Sequence, residues 1–344
     1  MAKQLETPCA APTRGLPFEL RYDYMLGGWI TGARGFLYML RDKYGPAETL
    51  KIFERVYTMD DRVKILANTI RTVFNLQGND CKTIGEVFDI WDEITGIEST
   101  ILERSPTINR RKVTKCPWKT EPKDVSDWFL PFFNTITETI NSKATLERPK
   151  AMCAGDPYCE CVWKLEESTL IEGSEDAITK KLETPCAAPK KGIPWGQKYD
   201  FVMRNCADDF KRRLYAIREK YGPAAAVEIY AMQCKEGDRI KNMTNALLKV
   251  FNLQGTDCVT IGEVLDVWDE LCGYESFILE RSPTINRRKV TKCPWKVDYK
   301  DIGEYAFAMK DVMGKTVNPK ATLEVPKKMC TGDPYCDYIW RIEE

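Results

Sequence analysis

The sequence predicts an α+β protein built from two tandem copies of one domain. Each copy is a helical N-terminal half followed by a small antiparallel sheet with a packed helix, and the copies are expected to be related by a pseudo-two-fold. Three observations lead there. LETPCAAP begins at Leu5 and again at Leu182, ILERSPTINRRKVTKCPWK at Ile101 and Ile278, and GDPYC at Gly155 and Gly332, all at one constant offset. Residues 5–167 lie on 182–344 without insertion or deletion, with about half of the aligned positions identical. That period is a whole domain, far longer than a solenoid unit of roughly 20–50 residues, and 344 residues is the length of about two domains. Within each copy, helix-period patterns come first and β-branched segments second, which is the order of an α+β fold. The expected organisation is a first repeat at 1–167, a polar linker at 168–181 and a second repeat at 182–344.

In the first copy a helical run from Pro17 to Tyr44 stops at Gly45, and Pro46 suits the first turn of the next helix. Asp60 or Asp61 can cap a third helix through Phe74, with Gly78 just beyond. Thr83 and Glu86 have capping-box spacing, and Val87, Ile90, Trp91 and Ile94 make one apolar face before Gly96. STILERS and RRKVTKCPW then read as strands joined through Pro-Thr-Ile-Asn. Lys123 to Ile140 returns to a helical pattern, and ATLERPKAM and YCECVWKLEE are strands joined through Gly155, Asp156 and Pro157.

Hydrophobic residues make up 43%, charged residues 30% and aromatic residues 11%, which fits a folded globular chain and excludes disorder. Lysine plus arginine equal aspartate plus glutamate at 51 each, so no global field attracts nucleic acid or anionic lipid. The start lacks an apolar targeting core, and no run of about 18 apolar residues occurs, so the expectation is a soluble cytoplasmic protein with reduced or metal-bound cysteines. There are 14 cysteines and no histidine. Imidazole is therefore unavailable as base or ligand, and any metal site must use cysteine, carboxylate, backbone or water.

The string VTKCPW, an amphipathic helix and then CAGDPYCECVW resemble the C-terminal half of the L-2-amino-thiazoline-4-carboxylic acid hydrolase-like family. They are also similar to the 4-vinyl reductase type of small-molecule-binding domain. The resemblance spans roughly Glu98 to Glu166 and Glu275 to Glu343. It implies opening of a small sulfur heterocycle by water in the first case, and a ligand pocket sometimes beside a cysteine-held zinc in the second. The matching positions are Cys116, Cys153 and Cys159, with Cys293, Cys330 and Cys336. The chain departs from that pattern in being doubled and in lacking histidine.

The residues themselves leave several chemistries open. Cys116, Cys153 and Cys159, with Cys81, Asp156 or Glu147 as a fourth donor, could hold zinc or an iron–sulfur cluster; Cys258, Cys293, Cys330 and Cys336 repeat the set. Buried or redox-active thiols are the competing reading, and Cys161, Cys206, Cys234 and Cys272 read as small core residues. Cys116 and Cys293 are candidate nucleophiles beside basic residues, which lower a thiol pKa, although strand alternation turns Lys115 away from Cys116. Arg110 and Arg111, with Arg287 and Arg288, could bind a carboxylate or phosphate of a small ligand, or else make NRRKVTK a charged, solvated edge strand. Trp118 and Trp163, and Trp295 and Trp340, could wall a ligand or fill the sheet core. Glu86, Asp89, Asp92 and Glu93 read as the solvated face of the fourth helix. The function these readings suggest is a cysteine-rich, small-molecule-binding protein acting on a small anionic compound, with a non-enzymatic metal protein as the alternative.

The copies diverge most at 25–34 against 202–211 and at 125–134 against 302–311. Trp29, Trp128, Phe129, Phe132 and Phe133 of the first copy are poor solvated residues. Its helices are therefore expected to line the more apolar pocket or to bury a protein partner, with the second copy's counterparts more exposed.

Overall fold

The computed structural model describes residues 9–166, 185–235 and 238–343. The expected linker at 168–181 lies outside them. The chain is a mixed α+β protein with two antiparallel sheets. In chain order the elements are β1 (Cys9–Ala10), α1 (Phe18–Tyr44), α2 (Pro46–Thr58), α3 (Arg62–Val73), α4 (Cys81–Thr95), β2 (Glu98–Arg104), β3 (Ile108–Lys115), α5 (Leu130–Ile140), β4 (Thr145–Lys150) and β5 (Cys159–Lys164). They continue with β6 (Cys186–Ala187), α6 (Trp195–Tyr221), α7 (Pro223–Lys235), α8 (Arg239–Val250), α9 (Cys258–Cys272), β7 (Glu275–Arg281), β8 (Ile285–Lys292), α10 (Tyr305–Val317), β9 (Ala321–Lys327) and β10 (Cys336–Ile342). The five-stranded sheets run β4-β5-β3-β2-β6 and β9-β10-β8-β7-β1.

Two compact units result, and they do not follow the repeat boundaries. One comprises Gly28–Val202 and the other Met1–Gly27 together with Met203–Glu344. They are called below the Arg111 unit and the Arg288 unit. The reason for the mismatch is the arm that begins each repeat. Cys9 and Ala10 pair antiparallel with Ile278 and Phe277, while Cys186 and Ala187 pair with Ile101 and Thr100. Beyond the short strand, the Glu270 carboxylate accepts from the amides of Arg14 and Leu16 at 2.6 and 2.7 Å. Glu93 does the same for Lys191 and Ile193 at 2.6 and 2.8 Å, and also pairs with Lys198. Each arm thus covers a sheet edge that would otherwise present unpaired amides and carbonyls.

Local chemistry explains the helix starts and stops. α2 buries Thr49, Ile52, Phe53, Val56 and Tyr57, the stripe of a 3.6-residue period. α4 is capped by Asp80, whose side chain accepts from the Thr83 amide at 2.8 Å, so the Thr83–Glu86 box is not the cap used. Gly96 ends α4 at a positive φ of 70°, where glycine is favoured. α5 begins at Leu130 rather than Lys123, because Lys123–Val125 forms a separate tight turn.

The solvated-face expectation for α4 is overturned. Asp89 and Asp92 are buried, and each faces the arginines of β2 and β3. Arg104 holds Asp89 with two bonds of 2.7 and 2.9 Å. Arg111 donates to Asp89, to Asp92 at 2.7 Å and to the Gly85 carbonyl at 3.1 Å, while Ser99 donates to Asp92 at 2.6 Å. The other unit repeats this arrangement with Arg281, Arg288, Asp266, Asp269, Gly262 and Ser276. The edge-strand reading of NRRKVTK is corrected with it, since β3 and β8 are the middle strands of their sheets. Two carboxylates neutralise two guanidinium groups, which is what allows four charges into an interior.

Close approach of helix and sheet needs a missing side chain. A Cβ on Gly85 would lie 2.7 Å from Asn109 Oδ1 and 2.8 Å from Arg104 Nε, and one on Gly262 would lie 2.5 Å from Arg281 Nε. Gly85→Ala is therefore expected to destabilise the protein, although alanine is the better helix former by about 1 kcal/mol. Asp89→Ala, which takes the carboxylate from Arg104 and one of two from the buried Arg111, should cost about 3–5 kcal/mol. Chemical denaturation of both variants checks this, and a stabilised Gly85→Ala would show that the contact is not tight.

Candidate functional site

The thiols nominated from the sequence sit where the β3 and β8 strands end. Cys116 lies just past β3, in a turn closed by the Lys119 amide on the Cys116 carbonyl at 3.2 Å. Strand alternation therefore does not govern its direction. Cys153 Sγ accepts from the Thr120 amide at 3.3 Å, and Cys159 Sγ from the Met152 amide at 3.2 Å. Cys336 Sγ is held in the same way by Met329, at 3.2 Å. Cys116 feels the charge of both Cys159 and Cys153, so these thiols share one region. Among the described residues, however, no group of three or more cysteines, aspartates or glutamates stands where it could hold a metal ion. Cys81 and Cys258 are buried at the starts of α4 and α9.

Nor are the thiols activated as nucleophiles. Burial pushes the Cys116 thiol up to about 12, with the neighbouring cysteines adding to the effect. Burial likewise pushes Cys293 up to about 12, against the opposing pull of Lys310. Both are protonated at neutral pH, the reverse of what a basic neighbourhood would do.

The arginines nominated for ligand binding are already engaged. Arg110 pairs across the sheet with Glu160 at 2.6 Å, and Arg287 with Asp337 at 2.7 Å. Arg111 and Arg288 belong to the buried ionic groups. Trp118 stacks on Phe129 at 5.3 Å, whereas Trp163 packs on Phe88 at 4.7 Å, so no Trp118–Trp163 wall forms. Trp295 packs against Phe210 at 5.5 Å, and Trp340 stacks on Tyr338 at 5.6 Å.

The interiors of the two units differ in kind. In the Arg111 unit Trp29, Trp118, Trp128, Phe129 and Phe132 are buried against one another. These rings fill their own core, so the expectation that they bury a partner is replaced by internal packing. At the aligned positions of the Arg288 unit, Trp29 gives way to Cys206, Tyr57 to Cys234, Trp128 to Tyr305 and Phe133 to Lys310. Tyr305 is buried, so the second copy's helix is not the more exposed one either.

Lys310 is the outlying residue of this comparison. It is 1% exposed, and its Nζ has no hydrogen-bond partner among the described residues. Instead Nζ lies 3.9 Å from the ring centroid of Tyr338 and 4.8 Å from that of Tyr274. Lys310 and Gly314 occupy one face of α10, since they are four residues apart. Tyr338 and Trp340 occupy one face of β10, since they are two apart. In the Arg111 unit Thr137 accepts a 2.9 Å bond from Trp163 Nε1. Gly314 stands in its place, a Cβ there would meet Trp340 at 2.9 Å, and Trp340 Nε1 is left without a partner among the described residues. Asp269 adds a third buried atom, Oδ1, with no partner among the described residues, although its Oδ2 is held by Arg288 and Ser276. Burial pushes the Lys310 amine below its ordinary 10.5, opposed by the charge of the nearby Asp269 carboxylate.

These features define a cysteine-rich α+β protein whose helix α10 carries a buried amine, unpaired among the described residues, against the rings of Tyr274 and Tyr338. The chain matches no family model, no curated protein and no solved structure. No described helix is long and apolar enough to cross a membrane. Sequence reading passed over Lys310, Tyr274 and Tyr338, yet the gapless alignment carried a signal. Lysine facing Phe133 is a charge at a position that the other copy fills with a ring.

Stability should report the cost of this lysine. Unfolded, the amine is protonated below about 10.5; folded, burial resists protonation. The penalty is therefore absent above that pH and grows as pH falls below it. Lys310→Met should stabilise the protein by about 1–3 kcal/mol at neutral pH, and the gain should shrink as pH approaches 10.5. Urea denaturation of both proteins across pH checks the sign; a Lys310→Met variant less stable at neutral pH would show that the amine is well accommodated.

Proposed function

We propose that the chain is a small-molecule-binding protein whose ligand site lies in the Arg288 unit, around Lys310, Asp269, Cys293, Tyr274 and Tyr338. The two halves are diverged copies of one domain, a reading supported by the gapless sequence repeat and by the same strand order in both sheets. The Arg111 copy keeps an interior closed by aromatic packing, and the Arg288 copy carries the polar interior. The observation that carries this is Lys310, a buried donor with no protein partner. Structures rarely tolerate such a group without a functional reason. The two tyrosine rings beside the amine favour a flat occupant, and the amine favours one carrying an acceptor oxygen. A small, single-ring compound with a carboxylate or carbonyl group fits both demands. That class agrees with what the resemblance to thiazoline-carboxylate hydrolases implies.

The test is calorimetric titration with single-ring aromatic and heteroaromatic carboxylates, benzoate and pyridine-carboxylates among them. Binding to the wild type, lost in Lys310→Met and retained in Phe133→Leu, is the expected result. Equal binding in all three proteins would move the site away from Lys310.

A further inference from the structure

We propose that Lys310 is a covalent capture residue, forming an imine with a small aldehyde or ketone in the Arg288 unit. The inference rests on the ligand site proposed above and adds the chemistry of its occupant. Three features of the site suit imine formation.

The nucleophile comes first. An amine attacks a carbonyl only as the free base, and a lysine held in an ion pair is kept as ammonium. Among the described residues Lys310 has neither an ion pair nor a hydrogen bond, and its Nζ lies over the rings of Tyr338 and Tyr274. Desolvation of that kind is how a lysine becomes a nucleophile near neutral pH.

The proton balance can be met locally. The nitrogen lone pair adds to the carbonyl carbon, the π electrons move to oxygen, and that oxygen takes up a proton while the nitrogen loses one. The carbinolamine oxygen then takes a second proton and leaves as water as the nitrogen lone pair forms the C=N bond. Amine, carbonyl and one proton give protonated imine plus water, with no change of oxidation state. Cys293, protonated at neutral pH, and the Tyr274 phenol are proton donors on the same interior, and Asp269 Oδ1 is an acceptor with no other partner.

The charge of the product also has partners. A protonated imine carries one positive charge on the former lysine nitrogen, which arrives with the proton taken up as water leaves. Tyr338 and Tyr274 already present their faces to that nitrogen, and Asp269 contributes a negative charge. The Arg111 unit offers no such chemistry, because Phe133 stands at the aligned position.

Full-length protein incubated with benzaldehyde and sodium cyanoborohydride at neutral pH tests this, the hydride reducing any imine to a stable benzyl amine. Peptide mass mapping should place one benzyl group on Lys310, formed about tenfold faster than on any exposed lysine. Lys310→Met should lose it, and Lys315→Met, one turn further along α10 and exposed, should keep it. Benzoate should slow the labelling by occupying the same site. Labelling confined to exposed lysines in the folded protein would overturn the proposal. If benzoate still binds in a Lys310-dependent way, imine capture alone falls; if benzoate binding is also absent, the ligand site falls with it.

Discussion

The structure depends on four buried charges in each unit. Arg104 and Arg111 in one, and Arg281 and Arg288 in the other, fasten the central helix to the two middle strands through paired aspartates. Most helices of such a domain could tilt or slide against a sheet through apolar contact alone, because hydrophobic burial is non-directional. Bidentate arginine bonds are directional, and they set one register between helix and strand. The glycine facing each arginine group follows from this constraint, since the guanidinium groups reach the helix backbone only where no side chain intervenes.

A fixed helix–sheet register leaves the rest of each interior free to vary. In the Arg111 unit that freedom is used for dense aromatic packing, with rings at edge-on and stacked angles around Phe129. In the Arg288 unit it is used for polar groups, Lys310 and three tyrosines among them. One framework thus supports a closed core and a chemically loaded one. The ionic group is itself electrically balanced, so the Lys310 amine stands outside it, without a hydrogen-bond partner among the described residues.

The arms supply a different kind of order. Each is held by two residues of strand pairing and one carboxylate that accepts two amides. Glu93 and Glu270 therefore act as end clamps for a segment that is distant in sequence, which is why residues 1–27 belong with 203–344.

The sequence by itself determined the mixed α+β class and most of the element order, because these follow from local periodicity and from turn residues such as Gly45, Gly96 and Gly155. It also showed where the copies differ. Tertiary structure alone decided what the charges do. A helical wheel places Asp89 and Asp92 opposite the apolar stripe, yet only the sheet arginines make that side an interior. The same holds for Arg110 and Arg111, adjacent in sequence but separated by the pleat into a cross-strand pair and a buried one. The arms were illegible because a two-residue strand has almost no pattern, and Lys310 because a lysine in a helix reads as solvated until the packing around it is known. Periodicity is a property of the chain; burial of a charge is a property of what the chain packs against.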